Sequence, residues 1–231
     1  MSVKFYKSEN QVPLEMHKVR VVQKLNLLPV DERLRAIQKA GNNTFLLENK
    51  DIYIDMLTDS GVNAMSDRQT AAMHLADDSY AGSQTFARLK AALKEVFGTD
   101  NVLPAHQGRA CENILAERFV KPGMVAIMNF HFTTTKAHVT RCGGEVVEVL
   151  HKKGLIPQSD DPFKGDMDLQ ELRRVIEQYT PEKVAYVRVE AGTNLIGGQP
   201  VSLENMLAVA DICHEYGVPS ILDASLLQDN I

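Results

Sequence analysis

The residues that could do chemistry in this sequence follow short apolar runs that read as strands. Gln107, Gly108 and Arg109 come after the run NVLPA and open a segment with a helical pattern. A glycine, free backbone N–H groups and a guanidinium therefore meet at a predicted helix start, which suits a phosphate group. The triplet alone is weak evidence, because ordinary helix starts carry the same residue types.

Three further positions offer side chains suited to a flat, charged ligand. Phe132 follows the run MVAIMN, so its ring could stack on a planar group, although a core position is the more frequent place for an isolated aromatic. Asn194 lies in a glycine-containing loop after VAYVRVE and offers an amide to a ligand oxygen. Asp223 ends the run PSILD, where a desolvated carboxylate requires a cationic partner.

Taken together, these positions meet the requirements of one ligand, pyridoxal 5'-phosphate. The helix start would hold the phosphate, the aromatic ring would stack on the pyridine, the amide would bind the ring hydroxyl, and the buried acid would keep the ring nitrogen protonated. A protonated ring is what makes this cofactor an electron sink for a carbanion. A Rossmann dinucleotide site is not indicated, because the sequence has no GxGxxG motif after its first predicted strand.

The elements that must position these residues alternate between β-prone runs and amphipathic helices. Predicted strands are NVLPA, MVAIMN, EVVEVL, VAYVRVE and PSILD, and predicted helices are DERLRAIQKA, SQTFARLKAALKEVFG, CENILAERF, LQELRRVIEQY and LENMLAVADICHEYG. We expect Ser83 to cap its helix, and Gly41 and Gly98 to end theirs. The alternation predicts an α/β fold with a mostly parallel sheet, in which ligands bind beyond the carboxyl ends of the strands.

Composition favours small-molecule chemistry in a reducing compartment. The 231 residues carry a net charge of −5, which gives no basic stripe for nucleic acid. The cysteines Cys111, Cys142 and Cys213 form neither a disulfide framework nor a zinc-ligand spacing. The amino-terminal residues lack the apolar core of a signal peptide, and no apolar run approaches the length of a membrane span. We therefore expect a cytoplasmic protein with no membrane or nucleic-acid partner.

The sequence resembles the tyrosine phenol-lyase and tryptophanase family of β-eliminating lyases. The segments LTDSGVNAMSD, SYAGS, PAHQGRACEN, NFHFTTT, PFKGDMDL and NLIGGQPVS occur in the family's order, from about Glu32 onward. The resemblance implies the large domain of pyridoxal-phosphate fold type I, incomplete at its carboxyl end. Residues 1–57 would form an amino-terminal arm and part of a small domain, and residues 58–231 the cofactor-binding domain. The implied reaction is β-elimination from an aromatic or related amino acid, by cleavage of a carbon–carbon or carbon–sulfur bond, to give pyruvate and ammonia.

The resemblance also implies roles for individual residues. Cofactor binding falls to Gln107, Gly108, Arg109, Glu112, Phe132, Asn194 and Asp223. Glu112 would lie close behind Asp223, and Tyr80 would be the general acid that protonates the leaving group, acting across a subunit interface of a homodimer or homotetramer. Substrate contacts fall to Thr58, Ser60 and Thr133, and the FTTT that begins at Phe132 matches tyrosine phenol-lyase, where tryptophanase has FDTT. Gly61 and Asp78 would form part of a site for a monovalent cation such as K⁺, where relatives carry glutamate in place of Asp78.

Three departures from the family pattern bear on function. Leu226 stands where the named enzymes have an arginine near the cofactor, and Glu190, Ala191 and Gly192 replace a more apolar approach to Asn194. The lysine that binds the cofactor covalently has no match in the chain and is expected beyond Ile231. Two readings therefore remain: a β-eliminating lyase of unassigned amino-acid substrate, or a non-catalytic cofactor-binding remnant or half of a split enzyme. An unrelated α/β binding protein would require the ordered motif matches to be coincidental.

Overall fold

A computed structural model describes residues 2–4, 11–13, 25–55 and 65–230. It divides into two compact units, residues 1–100 and residues 101–231, which are described separately. The boundary after residue 57 that the sequence analysis placed between two domains stays a prediction. No helix among the described residues is long and apolar enough to cross a membrane.

In the described residues of the first unit, a short antiparallel pair of strands is followed by three α-helices. Strand β1 (Ser2–Lys4) pairs antiparallel with β2 (Gln11–Pro13), and the helices are α1 (Val30–Lys39), α2 (Asp67–Leu75) and α3 (Gln84–Phe97). As predicted, Gly41 and Gly98 end α1 and α3 with φ of 65° and 71°, and the Ser83 hydroxyl accepts a hydrogen bond from the backbone N–H of Phe86 at 3.1 Å. Helix α2 was not predicted. It begins with a capping box formed by Ser66 and Gln69.

The second unit contains a parallel sheet in which helices connect the strands. In chain order its elements are α4 (Gly108–Phe119), β3 (Val125–Met128), α5 (Thr133–Arg141), β4 (Glu145–Glu148), α6 (Leu169–Tyr179), β5 (Val184–Glu190), α7 (Leu203–Tyr216) and β6 (Ser220–Asp223). The strand order is β4-β3-β5-β6, and every adjacent pair is parallel. The predicted α/β class, with a mostly parallel sheet and flanking helices, is confirmed.

The sheet has a separate apolar cluster on each face. On one face, Ala116 of α4 and Val139 of α5 pack with Met128 and Tyr186. The opposite face of the sheet packs against α6 and α7, and every second residue of β3 and β5 points toward these helices. The apolar cluster on this face includes Ile127, Val187, Leu172, Ile176, Val209 and Ile212. Burial of both faces explains why β3 and β5 are buried at every residue. These two strands fix the edge at which the chemistry is expected.

One predicted strand is wrong. Residues 101–105, NVLPA, form no strand and pair with no strand of the described residues. Pro104 has no N–H to donate to a ladder, and Leu103 is 77% exposed, so the segment lacks both the bonding and the burial of an inner strand. The helix predicted to follow it does form, and it begins at Gly108.

Candidate active site

The carboxyl ends of β5 and β6 bring two acidic residues side by side. The register of the two parallel strands aligns Glu190 with Asp223, the last residue of each strand. Strand β3, on the other side of β5, ends at Met128, and the residues that follow it lie at the same edge. This edge is where a parallel α/β sheet binds its ligand.

Asp223 has the cationic partner that its burial requires. Its Oδ2 atom lies 2.6 Å from Nη2 of Arg188, and its Oδ1 atom accepts a hydrogen bond from the backbone N–H of Ser225 at 3.0 Å. The side chains of Arg188 and Asp223 are 5% and 20% exposed. The pair is therefore largely shielded from water, where such a contact is stronger than at a surface.

Arg188 also contacts Glu190, so three charged side chains form one cluster. Nη1 of Arg188 lies 3.2 Å from Oε2 of Glu190, and Oε1 of Glu190 accepts a hydrogen bond from the backbone N–H of Asn194 at 3.3 Å. We call Asp223, Arg188 and Glu190 the buried charge cluster. Through it, a continuous line of contacts joins Asp223 to the backbone of Asn194, the residue predicted to bind the ring hydroxyl.

The two carboxylates of the buried charge cluster titrate differently. Burial raises the pKa of Glu190 above its ordinary value, and the nearby Arg188 guanidinium offsets this only in part. Burial also acts to raise the pKa of Asp223, but the Arg188 charge and the hydrogen bonds from Ser225 outweigh it, so the pKa of Asp223 is lowered. As pH falls, Glu190 therefore takes up a proton before Asp223 does.

Asn129 holds the loop that carries Asn194. Its Nδ2 donates to the carbonyl oxygens of Gly165 (3.0 Å) and Glu190 (3.1 Å) and to Oγ1 of Thr193 (3.0 Å), while its Oδ1 accepts from the backbone N–H of Glu190 at 3.1 Å. Asn129 is fully buried directly after β3. Its amide thus continues the pairing between β3 and β5 after the backbone of β3 has turned away.

Asn230 also binds the backbone of this loop. Its Oδ1 accepts hydrogen bonds from the backbone N–H groups of Gly192 (2.9 Å) and Val201 (2.8 Å), and its Nδ2 donates to the carbonyl of Val201 at 2.8 Å. The turn after β6 is therefore tied to the loop after β5. The loop is positioned by two side-chain amides rather than by a strand of its own.

The start of α4 is the place at which the sequence predicts a phosphate corner. Gln107 precedes the helix and its side chain makes no capping hydrogen bond, so Gln107 leaves the first backbone N–H groups of the helix to another acceptor. A Cβ atom added to Gly108 would meet nothing within 4 Å, which leaves open space beside the helix start. The Arg109 side chain is exposed. An anion could approach both the backbone and the guanidinium.

The residues around the start of α5 differ in burial. Phe132 precedes the helix and is half-buried, and Thr133 is its exposed first residue. Glu112 accepts hydrogen bonds from the hydroxyls of Thr134, at 2.5 Å, and of Thr135, which ties α4 to α5. The contact of Asp223 is Arg188 rather than Glu112. A role for Glu112 close behind Asp223 stays a prediction.

The remaining predicted site residues belong to the first unit. Tyr80 and Asp78 are exposed, and Thr58, Ser60 and Gly61 lie outside the described residues. Their roles stay predictions. In the described part of the chain, no group of three or more histidine, cysteine, aspartate or glutamate side chains could hold a metal ion.

The residues that are described fit pyridoxal phosphate in their chemistry. The uncapped start of α4 suits the phosphate, and Asp223 supplies an anion at the sheet edge for a protonated ring nitrogen. The side-chain amide of Asn194 makes no hydrogen bond to any described residue, so it is available to a ligand oxygen. Asp223 nevertheless shares its carboxylate with Arg188, an arrangement the sequence analysis did not foresee.

Arg188 is the site residue that the sequence analysis missed, together with Asn129 and Asn230. A signal for Arg188 was present, because a charged side chain within the apolar strand VAYVRVE needs a buried partner once both faces of the strand are covered. Asn129 and Asn230 gave no comparable signal, since asparagines after strands are ordinary turn residues. Their importance follows from the loop that they bind.

The sequence is similar to a protein family and to curated proteins of that family. The sequence profile of the family described as beta-eliminating lyase matches residues 55–231. A tyrosine phenol-lyase of Nostoc punctiforme is 44% identical over 216 residues, which are 94% of this chain and 46% of that protein. A tyrosine phenol-lyase of Clostridium tetani is 41% identical over 221 residues, 96% of this chain and 48% of that protein. The chain thus spans about half the length of these curated relatives.

Solved structures with a similar backbone are more distant in sequence. The N-succinyldiaminopimelate aminotransferase of Mycobacterium tuberculosis has a TM-score of 0.49 at 19% identity and covers 67% of this chain and 40% of its own. Cystalysin of Treponema denticola has a TM-score of 0.48 at 14% identity and covers 67% of this chain and 38% of its own. The family assignment rests on the profile match, which includes the whole parallel sheet and the loops at its carboxyl edge: the chain belongs to the beta-eliminating lyase family.

Proposed function

We propose that this chain is the cofactor-binding part of a pyridoxal-phosphate-dependent β-eliminating lyase of fold type I. The observation that carries the proposal is the position of Asp223. Its carboxylate lies at the carboxyl edge of a parallel sheet, and its lowered pKa keeps it ionised there. An ionised carboxylate at this place can hold the proton of a pyridine ring nitrogen, the requirement that sets this cofactor's site apart from a plain phosphate site.

Each described residue of the site has a separate task in this proposal. When bound, the cofactor withdraws electrons from the α-carbon of an amino acid. Asp223 holds the proton at the ring nitrogen, Asn194 donates a hydrogen bond to the ring hydroxyl, and Phe132 covers one face of the ring. The phosphate binds to the backbone N–H groups at the start of α4, to Arg109 and to the Gln107 side chain.

The substrate that we propose is an aromatic or related amino acid, cleaved to pyruvate and ammonia. The relatives are named tyrosine phenol-lyases, which favours a tyrosine-like substrate. Thr58, Ser60 and Thr133 would contact it, and Tyr80 would protonate the leaving group. The absence of a charge at Leu226 is the main reason to test other amino acids as well.

The proposal also includes the oligomeric state, the cellular location and a bound cation. We infer a homodimer or homotetramer in the cytoplasm, with Tyr80 reaching the site of a neighbouring subunit. Gly61 and Asp78 would contribute to the binding of K⁺. These points are supported by the family resemblance, and K⁺ dependence of stability and size-exclusion chromatography with light scattering would test them.

The test of cofactor binding compares the protein with an Asp223→Asn variant. Pyridoxal phosphate is added, the absorbance spectrum is recorded before and after borohydride, and intact mass shows whether any lysine has been modified. We expect the wild-type protein to bind the cofactor and Asp223→Asn to bind it at least about tenfold more weakly. This factor corresponds to a change of one unit in the pKa of the ring nitrogen. The matched control is Asp211→Asn, at an exposed residue of α7. Equal binding by all three proteins would refute the role of Asp223.

Activity is tested separately from binding. The cofactor-loaded protein is incubated with tyrosine, tryptophan and cysteine, and pyruvate is measured with lactate dehydrogenase. Pyruvate release supports the lyase. Binding without pyruvate from any of these amino acids would favour the alternative reading, a non-catalytic cofactor-binding chain or half of a split enzyme. Failure to bind the cofactor at all would overturn both.

A further inference from the structure

The buried charge cluster poses an electrostatic problem for the proposed cofactor. Asp223 is held on one oxygen by Arg188 at 2.6 Å and on the other by the backbone N–H of Ser225 at 3.0 Å. These contacts orient the carboxylate. A guanidinium so close to it also opposes a second cation at the same carboxylate, and a protonated ring nitrogen is such a cation.

Glu190 supplies the charge that resolves this problem. It follows Arg188 by two residues on β5, so both side chains point to the same face of the sheet, and their charged ends lie 3.2 Å apart with Glu190 only 8% exposed. With both carboxylates ionised, the buried charge cluster carries one net negative charge. A protonated ring would make the assembly neutral, whereas the same assembly without the Glu190 charge would be left with one net positive charge in a buried place.

We propose that Glu190 is a positioning residue of the cofactor site: its carboxylate offsets Arg188, so that Asp223 can be held in place by Arg188 and still hold a protonated ring nitrogen. The inference rests on the proposed function, because it concerns the same cofactor. Leu226 brings no charge to this edge, and Arg188 is the guanidinium that the structure places on Asp223. Arg188 and Glu190 therefore act as a pair.

Glu190 has a second contact toward the same ligand. Its Oε1 accepts from the backbone N–H of Asn194 at 3.3 Å, so it also helps to set the position of the amide proposed to bind the ring hydroxyl. A glutamine at position 190 keeps an oxygen for one of these contacts and keeps the side-chain shape. The Glu190→Gln variant therefore removes the charge while changing the geometry little.

The test compares two ligands that differ only at the ring nitrogen. One is pyridoxal 5'-phosphate, and the other is its 1-deaza analogue, in which a C–H group replaces that nitrogen. Dissociation constants for both are measured by equilibrium dialysis at neutral pH with the wild-type protein, with Glu190→Gln and with the double variant Arg188→Met/Glu190→Gln. Glu190→Gln keeps the pair of Arg188 with Asp223, so it leaves no buried ion unpaired. The double variant leaves Asp223 as the one charge of the cluster, partly exposed and bonded by the backbone N–H of Ser225.

We expect Glu190→Gln to bind pyridoxal phosphate about tenfold more weakly, the factor that corresponds to a change of one unit in the pKa of the ring nitrogen. Its affinity for the deaza analogue should change by less than about twofold. The double variant should regain most of the lost preference for the ring nitrogen. NMR of cofactor labelled at that nitrogen should show a loss of protonation in Glu190→Gln and its return in the double variant. The matched control is Glu171→Gln, which breaks an exposed pair with Arg174 on α6 and should change neither ligand.

Each outcome decides a different point. Equal weakening of both ligands in Glu190→Gln would mean that Glu190 only supports the fold of the site, and unchanged binding of both would mean that it does neither; both results overturn the inference and leave the proposed function intact. Wild-type protein that binds the deaza analogue as tightly as pyridoxal phosphate would overturn the role of Asp223 as well. No binding of either ligand by the wild-type protein would overturn the proposed function itself.

Discussion

Replacement of Asn129 by alanine tests how the carboxyl edge of the sheet is built. The Asn129 amide makes four hydrogen bonds, two of them to the backbone of Glu190 and one each to Gly165 and Thr193. All of these partners are buried. Alanine can replace none of these bonds, and water has no direct access to the groups left behind.

The expected loss of stability follows from the groups that remain unpaired. In Asn129→Ala the N–H of Glu190 and the carbonyl of Gly165 lose the Asn129 amide, whereas the Glu190 carbonyl retains the Thr193 hydroxyl at 3.1 Å. A buried polar group without a partner costs about 1–3 kcal/mol. Two such groups and the small cavity predict a decrease of about 3–5 kcal/mol in the free energy of unfolding, within the range of total stability of a domain.

The measurement is urea unfolding followed by circular dichroism, because the chain has no tryptophan for fluorescence. Asn205→Ala is the matched control. Asn205 is also buried and bonds the N–H and the carbonyl of Met167, both at 2.9 Å, but it joins α7 to the segment before α6. Both variants should lose stability, and Asn129→Ala alone should also weaken binding of pyridoxal phosphate. A loss below about 0.5 kcal/mol in Asn129→Ala, or equal weakening of cofactor binding in both variants, would refute this reasoning.

Three further predictions concern single residues. Burial raises the pKa of Glu190 above its usual 4.5, so the folded protein binds the carboxyl proton of Glu190 more tightly than the unfolded chain does. This contribution to the free energy of unfolding is lost as pH rises through the raised pKa. In urea titrations, Glu190→Gln should therefore lose less stability than the wild type between acid and neutral pH. Gly192 has φ of +74°, and an added Cβ would lie 2.8 Å from Cβ of Leu226. Gly192→Ala should therefore lower the free energy of unfolding by about 2–4 kcal/mol. The control Gly198→Ala should lower it by about 1–2 kcal/mol, because φ is +69° there but nothing lies within 4 Å of the added Cβ. Burial raises the pKa of the Cys213 thiol to about 11, whereas Cys111 is exposed. Iodoacetamide should therefore modify Cys111 in the folded protein and Cys213 only after unfolding, as measured by peptide mass mapping. Modification of Cys213 before unfolding would contradict its burial.

The sequence was sufficient to predict the order of elements in the second unit. Alternation of apolar runs with amphipathic segments is a local property, and it identified β3 to β6 and the helices α4, α6 and α7. The same reasoning failed at residues 101–105, because an apolar run of five residues does not reveal whether a neighbouring strand exists to pair with it. Helix α2 was missed for a related reason: its capping box is a local signal, but the polar run that follows has no apolar face.

The candidate site was predictable in its residue types but not in its contacts. A carboxylate at the end of a buried strand had to have a cationic partner, and this holds for Asp223. The identity of that partner depends on the register of β5 against β6, which aligns Glu190 with Asp223 and so brings Arg188 within reach. The register of β5 against β6 joins residues that are far apart in the sequence, so the residues around Asp223 do not identify its partner. The bonds of Asn129 and Asn230 to the loop are hidden for the same reason.

Stability alone is a poor explanation for the buried charge cluster. The desolvation of an arginine and two carboxylates opposes the attraction between them, and well-packed apolar residues in place of buried ion pairs are often neutral or stabilising by about 1–4 kcal/mol. The triple variant Arg188→Met/Glu190→Gln/Asp223→Asn, which removes all three charges, should therefore unfold at the same or a higher urea concentration than the wild type. Arg188→Met alone leaves two carboxylates without their cation and should lose about 3–5 kcal/mol. If the triple variant were instead as unstable as Arg188→Met, the cluster would be a structural necessity of the sheet edge, and a role in holding the ring nitrogen would not be needed to explain its presence.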